Sequence, residues 1–201
     1  MRSCRAILLI LSIISTITVA SAETYQVDTV HSSVKFKIRC LMLGNVTGKF
    51  KQFSGYYKMQ KGKLDSFVAE CHTGSINTGN SKRDKDLSST GFFDSAHFPI
   101  MTMRMIRARG KTVWIKLTIK GITKQVPFIY LSKTAKSNQA HTNQAGFILK
   151  GQIYLKDFKL SLNETVGAKS VALGKKVGII ADIKGSETSI SVEKFIVNLL
   201  K

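Results

Sequence analysis

SINTGNSKRDKDLSSTGFFD, residues 75 to 94, is where the dominant rhythm of this chain breaks. Before it, apolar residues recur at every second position. Inside it they give way to a run of charge and then return as two adjacent phenylalanines, Phe92 and Phe93. A side-chain period of two belongs to a strand with one wet and one dry face. The insert carries helix punctuation instead. Ser81 and Asp84 have the spacing of a capping box, and Asn80 is an alternative N-cap. The spacing predicts a short helix over about 82–90, stopped by Thr90-Gly91. Gly91 then lets the chain turn sharply, so that Phe92 and Phe93 point back toward a sheet. The segment reads as a plug, charged outside and apolar where it would close an open barrel end.

The flanking sequence is β nearly throughout. Val34, Phe36, Ile38 and Cys40 alternate with Lys35, Lys37 and Arg39, and Gly44-Asn45 offers a turn. Gly48 to Met59 reads as one long strand with glycines where a sheet would bend. Phe67, Ala69 and Cys71 continue the alternation after a turn at Lys61-Gly62-Lys63. Beyond the insert, strands are expected over 100–107, 113–119, 126–131, 147–160 and 177–183, separated by Arg109-Gly110, Gly121 and a polar loop at 137–144. About eight strands with short connections indicate an all-β, antiparallel barrel. A barrel of about eight strands either fills its interior with side chains or holds one small ligand. Periodicity leaves both open.

The chain has 201 residues, of which the first 22 are set aside. Arg2 and Arg5, an apolar run from Ala6 to Ala20, and the small residues Ala20-Ser21-Ala22 have the form of a cleavable export signal. That run is about 15 residues, short of the ~20 that cross a bilayer as a helix. A single domain is expected over 23–187, with 188–201 as a C-terminal extension of the barrel or a tail. Charge is the strongest compositional signal: 31 Lys and Arg against 12 Asp and Glu, a net of +19. The lysines are spread along the wet phase of strands rather than clustered. No stacking-aromatic platform suggests a nucleic-acid partner, whereas a transient contact with an anionic membrane surface suits such a field. Cys40 and Cys71 both fall on apolar phases. An oxidising compartment would allow a bridge between them, and two buried thiols are equally natural.

Enzyme chemistry needs a nucleophile, an acid/base pair or a metal held in reach, and the candidates are thin. His31, His72, His97 and His141 show no metal-ligand spacing, Ser32 directly follows His31 rather than facing it, and neither GxSxG nor a phosphate-binding glycine loop occurs. The expectation is a protein without catalytic activity, metal or cofactor.

Several segments together resemble the YceI-like family of lipid- and polyisoprenoid-binding proteins. YQVDTVHSSVKFKI resembles that family's opening strand, with its Asp-x-x-His-Ser carried by Asp28, His31 and Ser32. GKFKQFSG resembles the second strand. Residues 75–99 match the family signature through Ser75-Ile76-Asn77-Thr78-Gly79-Asn80, Arg83-Asp84, Leu87, Phe92-Phe93-Asp94 and Phe98-Pro99, and LTIKGITKQV resembles the strand and turn that follow. One departure is Lys156-Asp157-Phe158-Lys159, where the family often has glycine in place of Lys159.

The resemblance implies an extended, lipocalin-like barrel, exported to the periplasm, whose apolar tunnel holds an isoprenoid, quinone or fatty-acid-like lipid. Phe36, Ile38, Phe50, Phe53, Ile115 and Leu117 are the expected wall, joined by Phe92 and Phe93 from the plug. Asn77, Arg83 and Asp84 are expected to fix the helix to the barrel, with an anionic headgroup as a lesser role for Arg83. Oligomeric state is open, a homodimer being one option.

Overall fold

Eleven antiparallel strands, one α-helix and two 3-10 turns make up the computed structural model, which describes residues 22–40, 44–133, 144–161 and 173–189. In chain order they are β1 (Glu23–Val27), β2 (Ser33–Cys40), β3 (Gly44–Phe50), β4 (Phe53–Gln60), β5 (Lys63–His72), β6 (Ile76–Asn77), α1 (Ser81–Ser88), β7 (Ile100–Arg109), β8 (Thr112–Ile119), β9 (Ile122–Ser132), β10 (Gln144–Tyr154) and β11 (Leu173–Glu187). Strands β1, β4, β5, β7, β8, β9, β10 and β11 pair in that order, and β1 pairs back onto β11. The ring of eight is closed, as the alternation predicts.

Closure depends on two bends. Strands β2 and β3 prolong β1 and β4 beyond breaks in the chain, so β11 meets β2 along Leu173–Asp182 and β1 at Gly185–Glu187. At the first bend, Asp28 Oδ1 accepts from the backbone N–H groups of Val30 and His31. Ser32 Oγ donates to Lys184 O (3.0 Å) and accepts from Lys184 N (2.9 Å). A hydroxyl thus repairs the ladder where the backbone departs from it. Aspartate favours such turns because its side chain mimics a backbone acceptor.

The second bend, at Lys51-Gln52, splits the single strand expected over Gly48–Met59. Ser75 takes up the freed donors: its carbonyl accepts from Lys51 N (3.1 Å) and its Oγ from Gln52 N (3.1 Å). The expected strand over 147–160 also ends early, because residues Leu155–Phe158 form a 3-10 turn. Lys159, at the family's glycine position, closes that turn in the left-handed conformation (φ 51°, ψ 37°) with its N–H donating to Leu155 O and Lys156 O. The turn therefore survives the substitution, at about 1 kcal/mol of backbone strain. The expected terminal element at 188–201 and the expected signal at 1–22 fall almost wholly outside the described residues.

The dry phase of every barrel strand faces inward and forms one core. Two aromatic groups occupy it. In one, Phe147 meets Tyr57 (5.0 Å between ring centres), Phe67 (5.5 Å) and Tyr130 (5.8 Å), and Tyr25 stacks on Tyr57. In the other, Phe36, Phe50, Phe93 and Phe92 form a chain with successive separations of 5.8, 5.8 and 5.0 Å. Phe147 lies opposite Ile183 and Phe36 opposite Ile179 on β11. Four strand residues, or about 13 Å, separate these rows.

Cys71 is a free buried thiol, so the bridge to Cys40 is not formed. Register explains the separation. Cys71 pairs with Phe53 and Met101, whereas Cys40 ends β2 opposite Gly44, six residues from the Val34–Phe50 pair nearest to that bend.

Candidate functional site: the barrel interior and its lid

One inward row runs Gly48, Phe36, Ile179, Gly151, Phe128, Val113 across six strands. Phe36 and Ile179 are only half-buried, although they lie mid-strand on the inward phase. Their neighbours in the next rows are closed off: Val34 is 6% exposed, Ile38 7% and Ala181 1%. Solvent therefore touches the inner surface at this row. Glycine at two positions of the row lets an aromatic ring close over the backbone. A Cβ on Gly151 would stand 2.6 Å from the Phe128 ring, and one on Gly48 would meet Phe36. Aromatic rings lie over both positions, and no side chain from either fills the interior.

The interior carries few polar groups. Tyr57 donates its hydroxyl to Ala145 O. The hydroxyl of Tyr130, on the inward phase of β9, is buried without a partner among the described residues. An unmade hydrogen bond at a buried hydroxyl costs about 1–3 kcal/mol. Lys124 also lies on the inward phase, directly opposite the buried Leu117, yet is exposed. Its exposure follows from the ladder: β9 pairs with β10 only from Phe128 onward. Between Ile122 and Pro127 the wall has no β10 partner, and Lys124 stands at that parting.

The lid is built as the charged insert suggests, with different caps. Helix α1 begins after Asn80, whose Oδ1 accepts from Arg83 N (3.0 Å); Asn80, not Ser81, is the N-cap. Asp84 is thereby released from a capping box and its Oδ1 accepts from both Thr78 N (2.9 Å) and Thr78 Oγ1 (2.6 Å). Arg83 donates through Nε to Thr78 Oγ1 (2.8 Å) and through a terminal nitrogen to Thr78 O (3.0 Å). Two of its guanidinium nitrogens thus anchor the helix. After α1 the left-handed residue is Asp94 (φ 51°), not Gly91. Leu87, Phe92 and Phe93 are buried beneath the lid. Thr73, fully buried, donates to Phe98 O (2.9 Å), and Lys120 Nζ reaches Thr90 O (2.7 Å) from the β8–β9 turn. The lid segment is thus tied to the turn after β5 and to the β8–β9 turn.

Of the apolar residues expected to line the interior, Ile38, Phe50, Ile115 and Leu117 from the strands and Phe92 and Phe93 from the plug are buried in the core, and Phe36 and Phe53 pack against it partly buried. Sequence reasoning missed Ile179, Gly151, Tyr130 and Lys124. For Lys124 a signal existed, since Ile122, Val126, Phe128 and Tyr130 share its phase, but the strand was expected to start only at Val126. Two histidines, His31 and His97, serve turns. His31 Nδ1 lies 2.6 Å from Asp28 Oδ2 and His97 Nδ1 lies 2.8 Å from Asp94 Oδ1, both exposed. The Asp28 carboxyl is held below its ordinary range by its hydrogen bonds to the His31 ring and backbone. His31 and Ser32 occupy the bend rather than a strand. Among the described residues no group of three His, Cys, Asp or Glu side chains is placed to hold a metal ion.

A family model described as the YceI-like domain matches residues 25–185. The chain belongs to the YceI-like family. Curated relatives of this YceI-like protein include a UPF0312 protein of Staphylococcus aureus strain N315, 32% identical over 170 residues that cover 82% of this chain and 96% of the relative. A UPF0312 protein of Staphylococcus epidermidis strain ATCC 35984 is 34% identical over 159 residues, covering 76% and 91%. Solved structures share the fold. The Campylobacter jejuni YceI protein superposes with a TM-score of 0.65 at 22% identity, over 74% of this chain and 89% of that one. A polyisoprenoid binding domain from Saccharophagus degradans, implicated in plant cell wall breakdown, gives 0.64 at 15% identity, over 82% and 98%. The lipocalin-like barrel that the resemblance implied is thus the fold of this YceI-like protein.

Proposed function

We propose that this protein is an exported, non-enzymatic carrier that holds a long apolar molecule, of isoprenoid, quinone or fatty-acid type, inside its barrel. The observation that carries the reading is the row Gly48–Phe36–Ile179–Gly151, an inward apolar surface that keeps solvent contact in the middle of closed strands. Apolar surface removed from water yields about 25 cal/mol per Å², so a hydrocarbon tail laid along this row has a favourable drive. Binding sites of this kind pair an apolar lining with a few placed polar groups. Tyr130 and Lys124 supply them: one hydrogen bond inside, one cation where the wall parts. The polyisoprenoid-binding neighbour of the same fold supports the class of cargo. Export to the periplasm rests on the basic start, apolar run and small residues of positions 1–22.

Native mass spectrometry of the purified protein, followed by organic extraction, tests the reading. The expected result is a co-purifying apolar compound that Phe36→Lys abolishes while the barrel stays folded. A protein that is empty in every preparation and takes up no prenyl or acyl chain would overturn it. The basic exterior favours a second reading, docking on anionic membranes without cargo, which predicts the empty protein.

A further inference from the structure

The outer wall carries a pattern that cargo binding does not use. Across the ladders of β3, β2, β11, β10 and β9, one outward row runs Lys49, Lys35, Ile180, Lys150, Ile129. All three lysines are exposed, Ile180 is 41% exposed and Ile129 46%. Like charges placed directly opposite on neighbouring strands destabilise a sheet, yet Lys35 faces Lys49 and no carboxylate among the described residues pairs with either. The sole carboxylate among the described outward positions of β2, β3, β10 and β11 is Asp182, and Lys133 Nζ neutralises it at 2.6 Å. Further along the same face Lys176 stands 5.1 Å over the ring of Tyr154, itself 42% exposed.

From this row we infer that the β3–β2–β11–β10–β9 face docks on an anionic lipid bilayer. Lysines near an anionic leaflet each strengthen binding about fivefold, and aliphatic side chains between them enter the headgroup boundary. Nucleic acid would match the lysines but leave Ile129 and Ile180 unused, and a second copy of so basic a face would repel it. The β7–β8 wall is arranged differently: its exposed aliphatic side chain, Ile106, sits at a bulge outside the ladder rows, not between opposed cations. Arg104 and Lys116 also face each other there, but their row continues into the buried Val68 and into Gln125. The inference draws on the carrier reading only in choosing a membrane, the natural source of a lipid cargo.

Sedimentation of the purified protein with equimolar phosphatidylglycerol–phosphatidylcholine vesicles, and with phosphatidylcholine alone, tests it. At about 0.1 M salt the protein should pellet with the anionic vesicles only. Lys35→Gln with Lys150→Gln should weaken that binding about 25-fold. Arg104→Gln with Lys116→Gln, an equal loss of charge, should change it no more than about twofold. Ile129→Ser with Ile180→Ser should lower whatever binding persists at about 1 M salt, where charge is screened. Absence of binding, equal losses in the two charge pairs, or a duplex DNA that binds through Lys35 and Lys150 more tightly than the vesicles would overturn the proposal. Lipid extracted from the same variants keeps the two readings apart: cargo retained while docking fails sinks only the docking face, and docking retained by an empty barrel sinks only the carrier.

Discussion

Gly151 shows how much one missing side chain decides. It lies on the inward phase between Leu149 and Ile153, and the Phe128 ring covers it. Gly151→Ala forces a Cβ to within 2.6 Å of that ring. Overpacking of this kind costs about 1–3 kcal/mol, to be read from the midpoint of urea unfolding, and an unchanged midpoint would show that Phe128 swings away freely. Cys71 is the second telling residue. Burial pushes its thiol up to about 12 from an ordinary 9.0. Below pH 9 both folded and unfolded thiols are protonated and the group contributes nothing to pH dependence. Above it the unfolded chain releases a proton that the fold retains, so stability falls as pH rises from 9 toward 12. The phenols of Tyr25 and Tyr57, raised by burial, add the same trend from about pH 10. Between pH 9 and 10 the fall in the urea midpoint should therefore be smaller in Cys71→Ala than in the parent protein. Equal slopes would mean that the thiol is not buried as described.

Among the elements, α1 is the one whose propensity contributes least to its stability. Eight residues are too few to form a stable helix in water, and only Leu87 among them is buried. Its order comes from Asn80 at the N-cap and from the clasp of Arg83 and Asp84 on Thr78. Asn80→Ala should cost about 1 kcal/mol, expressed first as faster amide exchange across 81–88 and only secondarily in global unfolding. If exchange in the helix is unchanged, the Thr78 clasp alone holds it. The short helix and its returning phenylalanines were legible from the switch between strand periodicity and charge. Its cap was not. Ser81 and Asn80 are equivalent caps in isolation, and the choice went to Asn80 because Thr78, fixed beside β6, draws Asp84 away from the capping-box geometry.

For the whole molecule, the chain's net charge of +19, much of it exposed on the described strands of one barrel, is self-repulsive. Raising ionic strength from about 0.01 to 0.15 M shortens the Debye length from about 30 to 8 Å. The melting temperature should rise over that interval, since repulsion across the barrel is screened, while attractive pairs such as Lys133–Asp182 and those on the exposed His31 and His97 lose little. A fall in melting temperature would mean that attractive pairs outweigh the repulsion. The same excess of charge makes the lysine–isoleucine row stand out, because a sheet spends stability to keep it.

The sequence by itself determined the period of each strand, the wet and dry phases, the break at residues 75–94 and the family to which these patterns belong. These are local properties, set by which neighbours alternate and where glycine, asparagine or serine interrupt them. Only the tertiary structure decided where the long strands bend, that Cys71 stays apart from Cys40, and that Gly48, Phe36, Ile179 and Gly151 share one row. Each of those depends on register between strands far apart in the chain. Ser75 must reach the Lys51-Gln52 bend and Ser32 must reach Lys184 before any row is aligned, and no local pattern encodes the meeting of such distant groups.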